Sequence, residues 1–221
     1  MGLIQILYTN PVIFIVIAIA LIFALCVHEF SHGYIAYLNG DDTAYRMGRL
    51  TLNPIKHLDP IGSAMILFIG FGYAKPVPVN PMNLNNPRLD MIKVAAAGPI
   101  SNFILSFLGV LLFVIFSKFN LLQENYHIFF TYFIMINTYL GLFNLIPIYP
   151  LDGGQIFGNF ISKYDQDIFI KLNKYGPKIL LGIIIFSIFT DIPILSWILQ
   201  TPAKLIVSTF QSIAETLLFF L

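Results

Sequence analysis

The chain has 221 residues, 57% of them hydrophobic and only 10% charged, with a mean hydropathy of +0.82; a soluble domain carries a more even mixture, so this composition belongs in a membrane. A net charge of +1 implies neither a nucleic-acid-binding surface nor a strongly acidic partner. The single cysteine, Cys26, has no partner for an intrachain disulfide and lies in an apolar stretch, where a thiol packs as a small inert side chain.

In chain order, the opening MGLIQILYTN lacks the basic region of a cleavable signal peptide, so the apolar run behind it reads as a retained first span. That span starts at Pro11, a favoured first-turn residue, and ends at Leu38 before the stop Asn39-Gly40. At 1.5 Å per residue it covers roughly 42 Å, enough to cross the hydrocarbon. A polar loop follows over 41–59. Within it Arg49 to Asn53 (RLTLN) alternates in the strand sense, and Lys75 to Asn80 (KPVPVN) does so with alternate prolines, which suits an edge strand. The apolar stretch between them, IGSAMILFIGFGY, is too short to span and predicts a re-entrant hairpin within a region of about 45–80. Further spans are expected at about 91–118, 127–148 and 179–199, the last with Asp191 and Pro193 near its end, and a final apolar helix at 205–221. The fold class predicted is an all-α polytopic membrane protein: a single membrane-embedded domain over 1–221, with about five apolar helical segments around a three-span core and a small re-entrant β-hairpin or sheet.

Loop charges orient the spans. Arg46, Arg49, Lys56, Lys75, Arg88 and Lys93 follow the first span, and Lys163, Lys171, Lys174 and Lys178 follow the third, whereas the 118–126 turn holds only Lys118. The positive-inside rule makes the first two groups cytoplasmic and the N-terminus external.

His28, Glu29 and His32 form HExxH (HEFSH). Side chains at i and i+4 share a helical face, so both imidazoles can bind one zinc ion with Glu29 beside its water as general base. The competing reading is a buried polar cluster or proton path, since intramembrane ionisable groups are costly and usually functional. The motif lies about 17 residues, roughly 26 Å, from the outer end of the span, towards the cytoplasmic leaflet. A catalytic zinc needs a third protein ligand. Asp152, after NLIPIYP at the end of the third span, fits that need, and equally fits an N-cap for GGQIFGNFI; spacing does not decide between them. Zinc would lower the pKa of a bound water from about 15.7 towards 7, and Glu29 would take its proton and pass it to the leaving amine. Ser31 and Ser63 lack the setting of a serine nucleophile.

HEFSH ending an apolar helix, GPISN (Gly98 to Asn102) in the second span and NLIPIYPLDGG (Asn144 to Gly154) after the third resemble the site-2 protease family of intramembrane metallopeptidases. GRLTLNPIKHLDPIG (Gly48 to Gly62) and FGYAKPVPVNP (Phe71 to Pro81) resemble its compact bacterial branch. The likeness covers about Val12 to Phe157. It implies one zinc ion held by His28, His32 and Asp152, water activated by Glu29, and substrates that are membrane-spanning segments of other proteins. It also implies a setting in the lipid bilayer of the bacterial inner membrane, with the site towards the cytoplasm and no nucleic-acid partner. Asn144 and Asn102 become candidates for positioning substrate or stabilising an oxyanion, helix-to-helix hydrogen bonding being their alternative. Unlike longer members, the sequence leaves no room for a PDZ domain between spans two and three and carries no CBS domain after span four.

His57 reads as a solvated loop histidine or an accessory ligand, and His127 as interfacial. A strand edge at 49–53 offers β-augmentation to an unwound substrate. The functional alternative is a metal-binding membrane transporter or non-catalytic scaffold; the apolar outer half of the first span, Val12 to Val27, favours a closed catalytic site.

Overall fold

Asn-Pro and Asp-Pro pairs open five of the eleven helical elements among the described residues. The computed structural model describes residues 3–190 and 192–219; Asp191 lies outside the described residues. After α1 (Leu3–Thr9), α2 (Pro11–Leu38) begins where Asn10 accepts the Ile13 N–H and Pro11 occupies a first-turn position that needs no donor. The short α3 (Thr43–Arg46) follows. Asn53 opens α4 (Pro54–His57), Asp59 opens α5 (Pro60–Ile69), Asn80 opens a 3-10 turn (Pro81–Asn83) and Asn86 opens α6 (Pro87–Lys118), each by the same side-chain cap and proline. The chain continues as α7 (Glu124–Asn144), α8 (Asp152–Ile161), α9 (Gln166–Thr190) and α10 (Ile194–Leu217).

Helices α2, α6, α7 and α9 are long and apolar enough to cross a membrane. The first matches its expected bounds. Helix α6 starts at Pro87, earlier than the expected residue 91, because the Asn86 cap outweighs the charged residues that follow. Helix α7 ends at Asn144 rather than 148, where Pro147 and Pro150 break the ladder. The C-terminal division moves as well: α9 ends at Thr190 and α10 begins at Ile194 behind Pro193, while Pro202 is accommodated inside α10.

Helix α6 is the centre of the molecule and packs against α2, α7, α8 and α10. Towards one end the α6–α7–α10 contact is apolar, built on Val110, Phe130, Ile134 and Ala214 with Phe113, Phe129 and Phe210 around them. Nearer the site the α6–α7 contact is polar. Asn102, Ser106, Asn137 and Thr138 are all fully buried and bond across it, Asn102 Nδ2 to Asn137 Oδ1 at 3.1 Å and Ser106 Oγ with Thr138 Oγ1 at 2.7 Å.

The expected β-hairpin is not formed: among the described residues there is no strand, only an isolated antiparallel bridge between Leu58 and Ala74. Pro76 and Pro78 have no N–H to give a ladder, and the neighbouring donors are taken by side chains, Val77 N–H by Glu29 Oε2 and Asn80 N–H by Asp41 Oδ2. The 49–53 stretch is likewise held from the side, Arg49 Nη2 donating to Lys75 O and Pro76 O and His57 Nε2 donating to Thr51 O. The re-entrant stretch is instead a helix with an extended return. Gly70, at φ 83, ends α5, and the chain doubles back so closely that a Cβ on Gly62 would strike the Tyr73 backbone and one on Gly72 the Gly62 carbonyl. His57 is fully buried rather than solvated: its ring bonds the Thr51 carbonyl, and its own backbone carbonyl accepts the Lys75 N–H of the return.

Candidate active site

Helix α2 carries the HEFSH segment through the middle of the bundle, and the helical repeat sets His28 and His32 on one face. Their Nε2 atoms lie 3.0 Å apart. Asp152, from the start of α8, reaches both: its Oδ2 is 3.1 Å from His28 Nε2 and its Oδ1 3.4 Å from His32 Nε2. Asp152 is the first residue of α8 and Leu151 stands at the cap position, with no side-chain cap bond. The carboxylate is turned towards the histidines instead. His28 and Asp152 are buried at 5% and 7% exposure, and His32 is slightly more open.

The far side of each ring fixes what the near side offers. His28 Nδ1 meets Asn102 Oδ1 at 2.7 Å and His32 Nδ1 meets the Val94 carbonyl at 2.7 Å. Both partners are oxygen acceptors, so the protons sit on Nδ1 and the two Nε2 lone pairs face each other and a carboxylate. Asp152 Oδ2 is buried with no hydrogen bond. The three potential ligand atoms lie within 4.8 Å of one another, close enough to share one cation. Two imidazoles and one carboxylate, with the opposite ring nitrogens anchored, form a donor set that fits zinc and leaves room for a water.

Gly98 of α6 makes this approach feasible. A Cβ there would lie 2.5 Å from His28 Cε1 and from His32 Nε2, so any side chain would fill the place where the donors converge.

Glu29 faces the same cavity of about 600 Å³, which is lined by His28, Glu29, His32, Asp152, Asn144, Gln155 and the 71–79 return. Its Oε2 accepts the Val77 N–H at 2.9 Å, leaving Oε1 for a proton acceptor's work. Asn144 lines the cavity and spends one N–H on the Leu140 carbonyl. Asn102 does not line it: the residue is fully buried behind His28, donating to Ala24 O and Asn137 Oδ1. It touches the His28 ring from behind, and its bond to Asn137 is the helix-to-helix hydrogen bonding of the alternative reading. His57 is not among the cavity residues, and His127 stacks edge-on against Phe113 elsewhere in the bundle. The Val77 amide, the Val94 carbonyl and Asn137 were not foreseen. Two are backbone groups, which no motif announces.

A sequence model described as Peptidase family M50 matches residues 16–127 and 117–187. The chain belongs to peptidase family M50. It is 40% identical over 188 residues to the protein named "Putative zinc metalloprotease YwhC" of Bacillus subtilis (strain 168), the match covering 83% of each protein. It is 28% identical over 154 residues to the zinc metalloprotease MJ0392 of Methanocaldococcus jannaschii, covering 70% of this chain and 37% of that protein. Among solved structures, the site-2 protease from Methanocaldococcus jannaschii aligns over 95% of this chain and 83% of that one, with a TM-score of 0.49 and 20% identity. This M50 peptidase is an integral membrane zinc metalloprotease, and the His28, His32 and Asp152 cluster lies among its spanning helices.

Proposed function

We propose that the peptidase cleaves peptide bonds within membrane-spanning segments of other proteins, with His28, His32 and Asp152 holding one zinc ion and Glu29 as the general base. The observation that carries this reading is the convergence of three buried donors on the same cavity as a carboxylate, between helices long enough to span a bilayer. When bound, zinc supplies Lewis acidity to a water and to the scissile carbonyl. Glu29 takes a proton at its unengaged Oε1 and returns it to the leaving amine, while Val77 N–H keeps the other oxygen in place. Asn102 and the Val94 carbonyl hold the two rings in the tautomer that leaves Nε2 bare. Asn144, in the cavity wall, positions the substrate backbone.

A substrate helix hides its peptide bonds and has to unwind before it can be cut. The extended 71–79 return supports that step better than 49–53, because it lines the cavity while 49–53 does not. Phe71 lines both this cavity and a second one of about 610 Å³ bounded by Phe68, Ile184, Ile188 and Pro193, which supports entry from the α5–α9 side. Loop charges support an orientation that puts the site towards the cytoplasm, and the bacterial inner-membrane location rests on the family resemblance.

The test measures zinc content and cleavage of a membrane-spanning test substrate on the same purified protein. Stoichiometric zinc with cleavage, and zinc without cleavage in Glu29→Gln, is the expected result. Zinc binding with no cleavage of any spanning substrate would favour ion transport instead.

A further inference from the structure

Asn137 of α7 lies on the second helix away from the metal ligands, carries no recognisable motif, and is fully buried. Its Nδ2 donates to the Phe133 carbonyl at 2.9 Å. A backbone carbonyl only accepts, so this bond fixes which end of the Asn137 amide is oxygen. Asn137 Oδ1 then accepts from Asn102 Nδ2 at 3.1 Å, which turns Asn102 Oδ1 towards His28. That oxygen meets His28 Nδ1 at 2.7 Å. Each link dictates the polarity of the next: the proton sits on Nδ1, and Nε2 is left as a bare donor aimed at His32 and Asp152. The Ala24 carbonyl supports the same Asn102 orientation at the longer distance of 3.3 Å.

We infer that Asn137 is a positioning residue for the metal centre, acting through Asn102 to fix the tautomer and aim of His28. The inference rests on the proposed role of His28 as a ligand. Groups bonded to the far nitrogen of a ligand histidine commonly set metal affinity by about 10–100-fold when removed. Asn137 stands one step further out, so the lower end of that range applies. Without it, one Asn102 N–H loses its partner in a site closed to water, and the amide can turn over and present N–H to His28.

The experiment is zinc affinity by chelator competition in purified wild type, His28→Ala, Asn137→Leu and Asn137→Asp. Asn137→Leu is expected to bind zinc about tenfold more weakly. Asn137→Asp, protonated in its buried setting, keeps a carbonyl acceptor for Asn102 and a hydroxyl donor for Phe133, and is expected to stay within about twofold of wild type. Leu and Asp both keep the branched shape of Asn, so a purely packing role would leave both variants near wild type; weakening in Asn137→Leu with rescue in Asn137→Asp reports the hydrogen bonds. Wild-type affinity in Asn137→Leu, or equal weakening in Asn137→Asp, would overturn the inference. If Asn137→Leu does not fold, Asn137→Ala is read in its place with the same outcomes. Undiminished affinity in His28→Ala would instead overturn the assignment of the ligand.

Discussion

Val77 donates its backbone N–H to Glu29 Oε2 at 2.9 Å, so the carboxylate proposed as base is held by the segment that walls the cavity. Pro76 and Pro78 flank that amide, and it serves Glu29 rather than a neighbouring strand. Val77→Pro should therefore leave zinc content unchanged and lower cleavage by about 10–100-fold, since small misplacements of a reacting group cost that much. Parallel zinc and turnover assays check this. Equal turnover would remove the amide from any role in orienting Glu29.

Glu29→Gln keeps an oxygen for Val77 and removes the capacity to accept a proton. Zinc stoichiometry should hold while turnover falls by about 10²–10⁴. A variant that binds zinc and cleaves normally would rule out Glu29 as the base.

Asp152→Ala removes the carboxylate from the three-donor cluster. Two imidazoles are too few for a catalytic zinc site, so dialysis against a chelator that leaves wild type loaded should strip this variant. Asp152→Ala that retains its zinc would place the third ligand elsewhere.

At Gly98 the conflict is steric. A methyl group 2.5 Å from both ligand rings must push α6 away from α2 or displace the imidazoles. Gly98→Ala should cost about 1–3 kcal/mol and lose zinc together with activity, read by thermal melting and metal analysis. A zinc-replete, active Gly98→Ala would show that the rings have room to move.

Asp41, just beyond α2, is fully buried. It accepts from the Thr43 hydroxyl and amide, from the Asn80 amide at 2.7 Å and from Asn83 Nδ2 at 2.9 Å. Burial acts to raise its pKa, but these hydrogen bonds outweigh burial and hold the carboxyl below its ordinary value. A depressed folded pKa means stability that is present above the unfolded value of about 3.9 and fades as pH falls below it. Asp41→Ala should thus be less stable by about 1–3 kcal/mol near neutrality, with the gap narrowing below about pH 4. Melting curves across that range test it; a gap independent of pH would contradict the assignment.

His28, Glu29 and His32 were legible because helical spacing alone puts the two imidazoles on one face. From spacing Asp152 was legible as a residue but not as a role, since ligand and helix cap demand the same side chain; the family resemblance favoured a ligand, and the fold puts Leu151 rather than Asp152 at the cap position. The start of α6 was readable in Asn86-Pro87, yet the charges behind it drew the boundary inward. Alternation in KPVPVN suggested a strand because prolines suit strand edges and isolated extended chain equally well. Asn137 left no trace in the sequence, since its meaning depends on a partner across a helix contact whose register cannot be read from one chain of letters.

That contact has a further consequence for assembly. In hydrocarbon, one apolar helix face packs against another about as well as a third would, so greasy surface alone does not choose a rotation. Turning α6 or α7 by a single residue, about 100°, would part Asn102 from Asn137 and Ser106 from Thr138 and leave polar groups inside the bundle without these partners. The contact through which Asn102 and Asn137 steady the His28 ring thus also makes one alignment of the two helices distinguishable from its neighbours, so the same hydrogen bonds serve the assembly of the bundle and the aim of the imidazole.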